Sequence, residues 1–418
     1  MNMKRMMMAA AIAATIGAGI APSVEAAVTV TNVVCRQRYP WNGLVDIDYE
    51  IVSDQPDAKF WVYPKGTDNR LGKRVIMNTL SGDGATNYVG VGKHRMIWDA
   101  KTDMPKFHTP DLQVTLQVIA NAAKYLVIDV SNGPTAPFYN MRYSTEPPDL
   151  SDDMCRTDEI WLRLILPGTF LMGSPANEYG RSSGEDQHAV TLTKPYYIGV
   201  FEVTQKQWQN VMGNNPALDK GNCRPVENIS YDTIRGASLG KNWPLSYSVD
   251  ENSFMGVLRS KTKLLCDLPT DAQWEYACRA GTTTALNTGK NIASNYTDSN
   301  MNAAGRYNGN YSWNVGGFVD RHAPVGYFPP NQWGLYDMHG NILEWCLDYY
   351  NDYVGTVPVT DPVGWSSGNR VVRGGHYYSN ASDCRSARRR GVSSGATYDY
   401  YSSYREIGFR IAVLPFGE

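Results

Sequence analysis

The chain has 418 residues, 42% hydrophobic and 19% charged, enough for two or three globular domains. With Lys+Arg 39 against Asp+Glu 41 it has no basic face to neutralise a run of phosphates, which excludes nucleic acid as an expected partner. Its 27 Tyr, 11 Trp and 38 Gly point to a loop-rich, aromatic-rich fold rather than a helical bundle.

In chain order, Lys4 and Arg5 precede an apolar run from Met6 to Ile20, then Pro22 and the small-residue step Val24-Glu25-Ala26. That is the order of a secretory signal peptide over 1–26, cleaved after Ala26. The run falls short of the ~18 residues a membrane span needs, so an exported mature chain without a membrane span is expected, in the periplasm, at the cell surface or outside the cell. From Val28 to about Ser131 the pattern has period two. Val45, Ile47, Tyr49 and Ile51 alternate with Asp46, Asp48 and Glu50, and Leu112, Val114, Leu116 and Val118 with Gln113, Thr115 and Gln117, as half-buried strands do. Further β-like runs at Val28–Val34, Lys59–Tyr63, Arg74–Met77 and Arg95–Trp98 predict about seven strands, an all-β sandwich over 27–131. Pro134, Pro137, Pro147 and Pro148 with Asp149, Asp152 and Asp153 read as a linker over 132–154.

Residues 155–418 have another texture: short strands, two clear helices and long Gly/Asn/Tyr/Ser loops. One helix opens at Thr204-Gln205-Lys206-Gln207 and ends at Gly213; the other opens at Thr270-Asp271-Ala272-Gln273 and ends at Gly281. Each start is a capping box, in which the hydroxyl accepts from the third amide on and the glutamine reaches back. From Gly281 to Tyr307 no regular period is found, so loop is expected. Seven cysteines, at 35, 155, 223, 266, 278, 346 and 384, can pair after export. Cys266 and Cys278 bracket the second helix and could pair with Cys346 or Cys384, with the connectivity open. No C-x-x-C, Walker loop or paired-histidine motif occurs. Glu202 and Glu227, beside apolar neighbours, read as structural hydrogen-bonding groups.

Seven motifs then follow in order. They are Leu166-Pro167-Gly168-Thr169-Phe170-Leu171-Met172-Gly173-Ser174, Phe201-Glu202-Val203-Thr204, Arg224-Pro225-Val226-Glu227-Asn228-Ile229-Ser230, Leu268 through Ala277, Trp333 through Trp345, Arg373-Gly374-Gly375 and Gly408-Phe409-Arg410. Together they resemble the formylglycine-generating enzyme (sulfatase-modifying factor) family over residues 155–418. The resemblance implies an α+β, loop-rich, C-type-lectin-like fold with calcium held inside. Asp337, Gly340, Ile342 and Glu344 match the family's second calcium site, and their two carboxylates and two main-chain carbonyls are the hard oxygen set Ca²⁺ prefers. The family's other calcium site should lie upstream of Pro324, but the loop Asn308–Asp320 aligns poorly, with Gly317 where an aspartate is expected.

Members that make formylglycine, by resemblance, oxidise a substrate cysteine with copper and oxygen through two cysteines five residues apart after the Gly-Gly step. Here only the second, Cys384, is kept, and Ser379 stands in place of the first. A hydroxyl is not a soft ligand for Cu(I), and a lone thiolate cannot make a linear two-sulfur site. Cys384 is thus the one candidate catalytic residue, with a packing or disulfide role as the stronger reading. An iron site of the sulfoxide-synthase kind would need a histidine cluster that the six histidines do not form in sequence.

The stretches His376–Asp383 and Thr397–Tyr404 carry the composition of an antibody paratope, with tyrosines for amphipathic contact and Ser, Asn and Gly for adaptable hydrogen bonds. Tyr377, Tyr378, Asn380, Asp383, Tyr398, Tyr400 and Tyr401 are the candidate ligand-binding residues, for a protein or glycan ligand. The region also resembles the variable region of retroelement-diversified proteins. The basic run Arg385, Arg388, Arg389 and Arg390 reads as loop anchoring. A non-catalytic ligand-binding member is the function expected, with a sulfatase-modifying oxidoreductase using Cys384 as the alternative and a purely structural envelope protein as a third.

Overall fold

The computed structural model describes residues 28–414 except 41, 76, 78, 86, 106–108, 110, 121–122, 237–248, 313–320, 352–354, 365–366 and 397–405. The expected signal peptide and Tyr398, Tyr400 and Tyr401 lie outside the described residues. The described residues form two compact units, residues 28–124 with 142–145, and residues 125–141 with 146–414.

In the first unit, period-two alternation makes a two-sheet sandwich. Leu44–Ser53 pairs antiparallel with Val28–Gln37 on one side and Gly92–Asp99 on the other, and Leu80–Gly82 completes that sheet. Phe60–Asp68 pairs with Lys73–Val75 and Leu112–Ala120 in the second. The inward residues Val30, Ile47, Met96 and Trp98 of one sheet meet Phe60, Val62 and Leu116 of the other in a single core. Their outward neighbours carry charge: Asp46 takes Arg38 at 2.8 Å and Asp48 takes Arg95 at 2.5 Å. A bulge between Thr31 and Val34 accommodates Asn32, whose φ is 54°.

The second unit starts at Tyr125, ahead of the sequence-based boundary at Ser131. Tyr125, Leu126, Val127 and Ile128 are all buried, a consecutive apolar run rather than an alternating one. Such a strand is covered on both faces, and Tyr125–Asp129 pairs antiparallel with Glu159–Ile165 inside the second unit's sheet. The expected linker is likewise structured, with a strand at Asn140–Ser144 and a helical turn at Met154–Thr157. The sheet continues from Glu159–Ile165 through Tyr196–Gly199 and Ala412–Leu414 to Leu265–Asp267. A second sheet orders Arg390–Val392, Arg370–Arg373, Leu343–Tyr349 and Ile407–Gly408, and a third joins Gly168–Met172, His188–Leu192 and Val359–Thr360.

Both capping boxes form, opening helices Gln205–Met212 and Asp271–Arg279. Three further helices, Tyr231–Arg235, Phe254–Thr262 and Ser299–Ala304, were not expected. Ser253 caps Phe254–Thr262 by accepting from Gly256 N–H, and glycine at that third position cannot reach back to make a box.

Candidate functional site

After strand Arg370–Arg373 the chain turns through Gly374 and Gly375, at φ 89° and 74°. A Cβ on Gly375 would stand 2.6 Å from Cys384 Sγ, so only glycine lets the His376–Cys384 loop fold back this closely. Ser379 is bound within that loop: its Oγ accepts from His376 N–H at 3.1 Å and its carbonyl accepts from Asn308 N–H at 2.9 Å. The His376 ring lies against the buried Glu406 carboxylate. Cys384 is fully buried among Ala285, Leu286, Tyr307 and Ala381, and burial, with the nearby Asp383, pushes its thiol well above the ordinary range. A serine hydroxyl and a deeply protonated thiol are a poor donor set for Cu(I). None of the seven cysteines is disulfide-bonded. Instead of pairing with Cys346 or Cys384, Cys278 packs 3.6 Å from Ser386 Oγ and 3.9 Å from His339 Nε2.

The loop's aromatic residues divide into wall and surface. Tyr377 is 7% exposed, its ring edge-on to His322 and His376. Tyr378 is 37% exposed and meets Tyr311 edge-to-face with centroids 5.1 Å apart. Asn380 is partly exposed, while the Asp383 carboxylate is engaged by Arg388 at 3.0 Å and Arg390 at 3.4 Å. Main-chain bonds draw in two further loops: Ser379 O with Asn308 N–H, and Asn295 O with Ala381 N–H, each 2.9 Å. They bring Tyr311 and Tyr296, the latter 70% exposed, to the same neighbourhood. Neither tyrosine was singled out in the sequence, because both sit in segments without periodicity and far from the Tyr/Ser-rich stretch. The crevice beside this loop, lined by Gly374, Ser379, Asp383 and Arg388, has no room for a water molecule. Among the described residues, Tyr296 and Tyr378 are the exposed aromatic groups these loops present.

The acidic motif lies beneath. Glu344 is fully buried and both its oxygens are engaged, Oε1 by Arg410 Nη2 at 2.6 Å and Oε2 by Arg410 Nε at 2.6 Å and Trp274 Nε1 at 2.8 Å. Asp337 adopts φ 57°, its Oδ2 accepts from Gly326 N–H at 2.7 Å, and its Oδ1 is buried without a hydrogen-bond partner. Gly340 N–H donates to Gly374 O at 2.8 Å; a Cβ there would stand 1.9 Å from Arg306 O. Glu202 joins the cluster, accepting from Asn341 Nδ2 at 2.6 Å and from Ile342 N–H at 3.2 Å. Burial, reinforced by the other carboxylates, pushes Glu202 well up and Asp337 up to about 7. Glu227 is bonded separately, to Leu218 and Asp219 N–H.

Three buried carboxylates around the Arg410 guanidinium either keep protons or hold a further cation. Among the described residues no group of three His, Cys, Asp and Glu side chains is arranged to hold a metal ion. A hard cation here would therefore rely on the open oxygen of Asp337 together with main-chain carbonyls, a donor set calcium accepts.

Residues 151–414 match the family described as the sulfatase-modifying factor enzyme 1-like domain. Chaperone protein LppX of Paenibacillus barcinonensis is 32% identical over 237 residues, covering 50% of this chain and 78% of that protein. The formylglycine-generating enzyme of Streptomyces coelicolor is 37% identical over 155 residues, 35% of this chain and 46% of the enzyme, so the chain spans less than half of that relative. Among solved structures, Treponema denticola variable protein 1 aligns with 26% identity and a TM-score of 0.46, over 62% of this chain and 96% of that one. With the family match extending over most of the chain and the motifs in their order, the chain belongs to the sulfatase-modifying factor enzyme 1-like family.

Proposed function

We propose that this chain is an exported, non-catalytic binding member of the family that takes a protein or glycan ligand on its tyrosine-rich face. The observation that carries the reading is that the three loops bearing Tyr296, Tyr311 and Tyr378 are pinned together by main-chain hydrogen bonds, with the Tyr311 and Tyr378 rings in contact. Tyrosine supplies contact area with few rotatable bonds, and a pinned backbone lowers the ordering cost of binding. Tyr377, Asn380 and Asp383 support that face; Tyr398, Tyr400 and Tyr401 are proposed as ligand-binding residues from composition alone and lie outside the described residues. The similarity to a protein named a chaperone accords with binding rather than chemistry. Calcium, in this reading, is structural, held by Asp337 with the carbonyls of Gly340 and Ile342, while Glu344 orders Arg410.

The test is capture of glycans and envelope proteins on arrays by the exported chain and by a Tyr296→Ala/Tyr311→Ala/Tyr378→Ala variant. Hot-spot aromatics of this kind are worth ~2 kcal/mol or more each, so capture should fall at least ~30-fold. Equal capture by the variant would remove the face from consideration. Mass spectrometry of the exported chain should find Ala27 as its first residue; an intact Met1 would contradict export through a cleaved signal.

A further inference from the structure

Residues on either side of 313–320 surround a buried positive charge. Arg306 is fully buried, and each of its three side-chain nitrogens donates to a main-chain carbonyl: Nε to Arg321 O at 3.0 Å, Nη1 to Asn310 O at 2.6 Å and Nη2 to Tyr311 O at 2.6 Å. The same turn is held by bonds of its own. Asn310 N–H returns to Tyr307 O at 3.1 Å, Asn310 Oδ1 accepts from Tyr307 N–H at 2.9 Å, and Asn310 Nδ2 donates to Gly305 O at 2.9 Å, which curls the turn over Arg306. Asn341 N–H donates to Arg306 O at 2.8 Å, tying the same residue to the acidic motif.

A convergent set of carbonyl oxygens is what a hard cation takes from a loop. The family resemblance implies a calcium ion in this part of the chain, yet the expected aspartate is Gly317 and a guanidinium already donates to the carbonyls that flank it. We propose that Arg306 is a built-in cation: it clamps Asn310–Tyr311 to Arg321 in the role a metal ion would otherwise fill, so the carbonyls of Asn310, Tyr311 and Arg321 hold no calcium. The planar fork suits three carbonyls arranged around it, which a lysine ammonium on a flexible stem cannot match. A divalent ion placed beside this guanidinium would be repelled in a dry, low-dielectric interior. His322, close by, is held neutral for the same reason, since burial and the charges of Arg224, Arg321 and Arg306 push it well below its ordinary value.

Calcium stoichiometry by equilibrium dialysis, on the purified chain and on Asp337→Ala, tests the assignment. The expected result is at most one bound ion, lost in Asp337→Ala. Calcium retained by Asp337→Ala, or two ions on the parent chain, would overturn it. No bound calcium in either protein supports Arg306 as the clamp and removes the proposed cation at Asp337, so the two assignments fail separately. In parallel, Arg306→Ala should lower Tm by about 10 °C, with partial recovery in millimolar guanidinium but none in calcium. Arg306→Ala melting with the parent chain, or rescued by calcium alone, would contradict the clamp. Should Arg306→Ala fail to fold, the stoichiometry of the parent chain still decides.

Discussion

In the first unit, backbone groups find partners in long ladders: Phe60–Asp68 runs for 9 residues beside Leu112–Ala120. Arg36 and Arg95 stay at the rim, their side chains 57% and 52% exposed. In the second unit the ladders are short, Leu162–Ile165 against Tyr196–Gly199 being typical, and the arginines go inside. Arg235, Arg373, Arg385 and Arg410 are fully buried and each meets a carboxylate. Several of these guanidiniums also satisfy loop carbonyls: Arg410 donates to Gly199 O at 2.9 Å and Tyr336 O at 3.0 Å, and Arg385 to Gly180 O at 2.6 Å. A domain short of ladders still has to satisfy its buried carbonyls, and here planar guanidinium forks cross-link loops where strands would otherwise do so.

The contrast predicts unequal costs for the same substitution. Arg410→Ala strands Glu344 beside Asp337 and Glu202, and should cost ~3–5 kcal/mol in denaturant unfolding of the second unit. A loss under ~1 kcal/mol would mean the cluster is not held by charge. In the first unit the comparable loss needs a core residue: Trp98→Ala should cost ~3–5 kcal/mol there and leave the second unit's transition in place. If both transitions move together, the units do not unfold independently.

A pH effect of intermediate size separates the units again. Asp337 ordinarily titrates at 3.8 and is pushed to about 7 by burial, so the folded chain keeps a proton that the unfolded chain has lost between those values. Its contribution is therefore complete at the acid end and is lost as pH rises through about 7. Asp348, pushed up to about 6 by burial and by Asp271, acts in the same direction. In a chelator, Tm of the second unit should fall from pH 5 to 8 more steeply for the parent chain than for Asp337→Asn. Calcium should flatten the difference, and identical slopes in chelator would contradict the shared-carboxylate picture.

Smaller effects complete the series. Thr270→Ala removes the cap of Asp271–Arg279 and should cost ~1 kcal/mol. Arg95→Ala, at the rim of the sandwich, should leave the unfolding midpoint where it is; a measurable drop would mean that the surface charge ladder carries stability after all.

The sandwich is legible in sequence because its strands are covered on one face and alternate, as Val45–Ile51 does. Tyr125–Asp129 is covered on both faces, so its apolar run carried no marker of which sheet it joins. The two helices with capping boxes announce themselves, whereas Phe254–Thr262 starts on Ser253 with glycine in place of the returning glutamine. At the acidic motif, order along the chain picks out Asp337 and Glu344. That Glu344 is occupied by Arg410, 66 residues away, is a property of the fold alone. The basic run at 385–390 does anchor loops, with Arg385 on Glu185 and Arg389 on Asp271. Tyr296 and Tyr311 join the tyrosine face only through contacts across loops, which no local spacing encodes.

The proposed function has the tyrosine face binding and the Ser379/Cys384 loop doing no oxygen chemistry. Titrating the reduced chain with Cu(I), while following oxygen uptake over a cysteine-containing sulfatase-type peptide, tests it most directly. Neither tight copper binding nor uptake is expected, with Cys384→Ser indistinguishable from the parent chain. Stoichiometric Cu(I) binding with peptide-dependent oxygen consumption, abolished by Cys384→Ser, would contradict it.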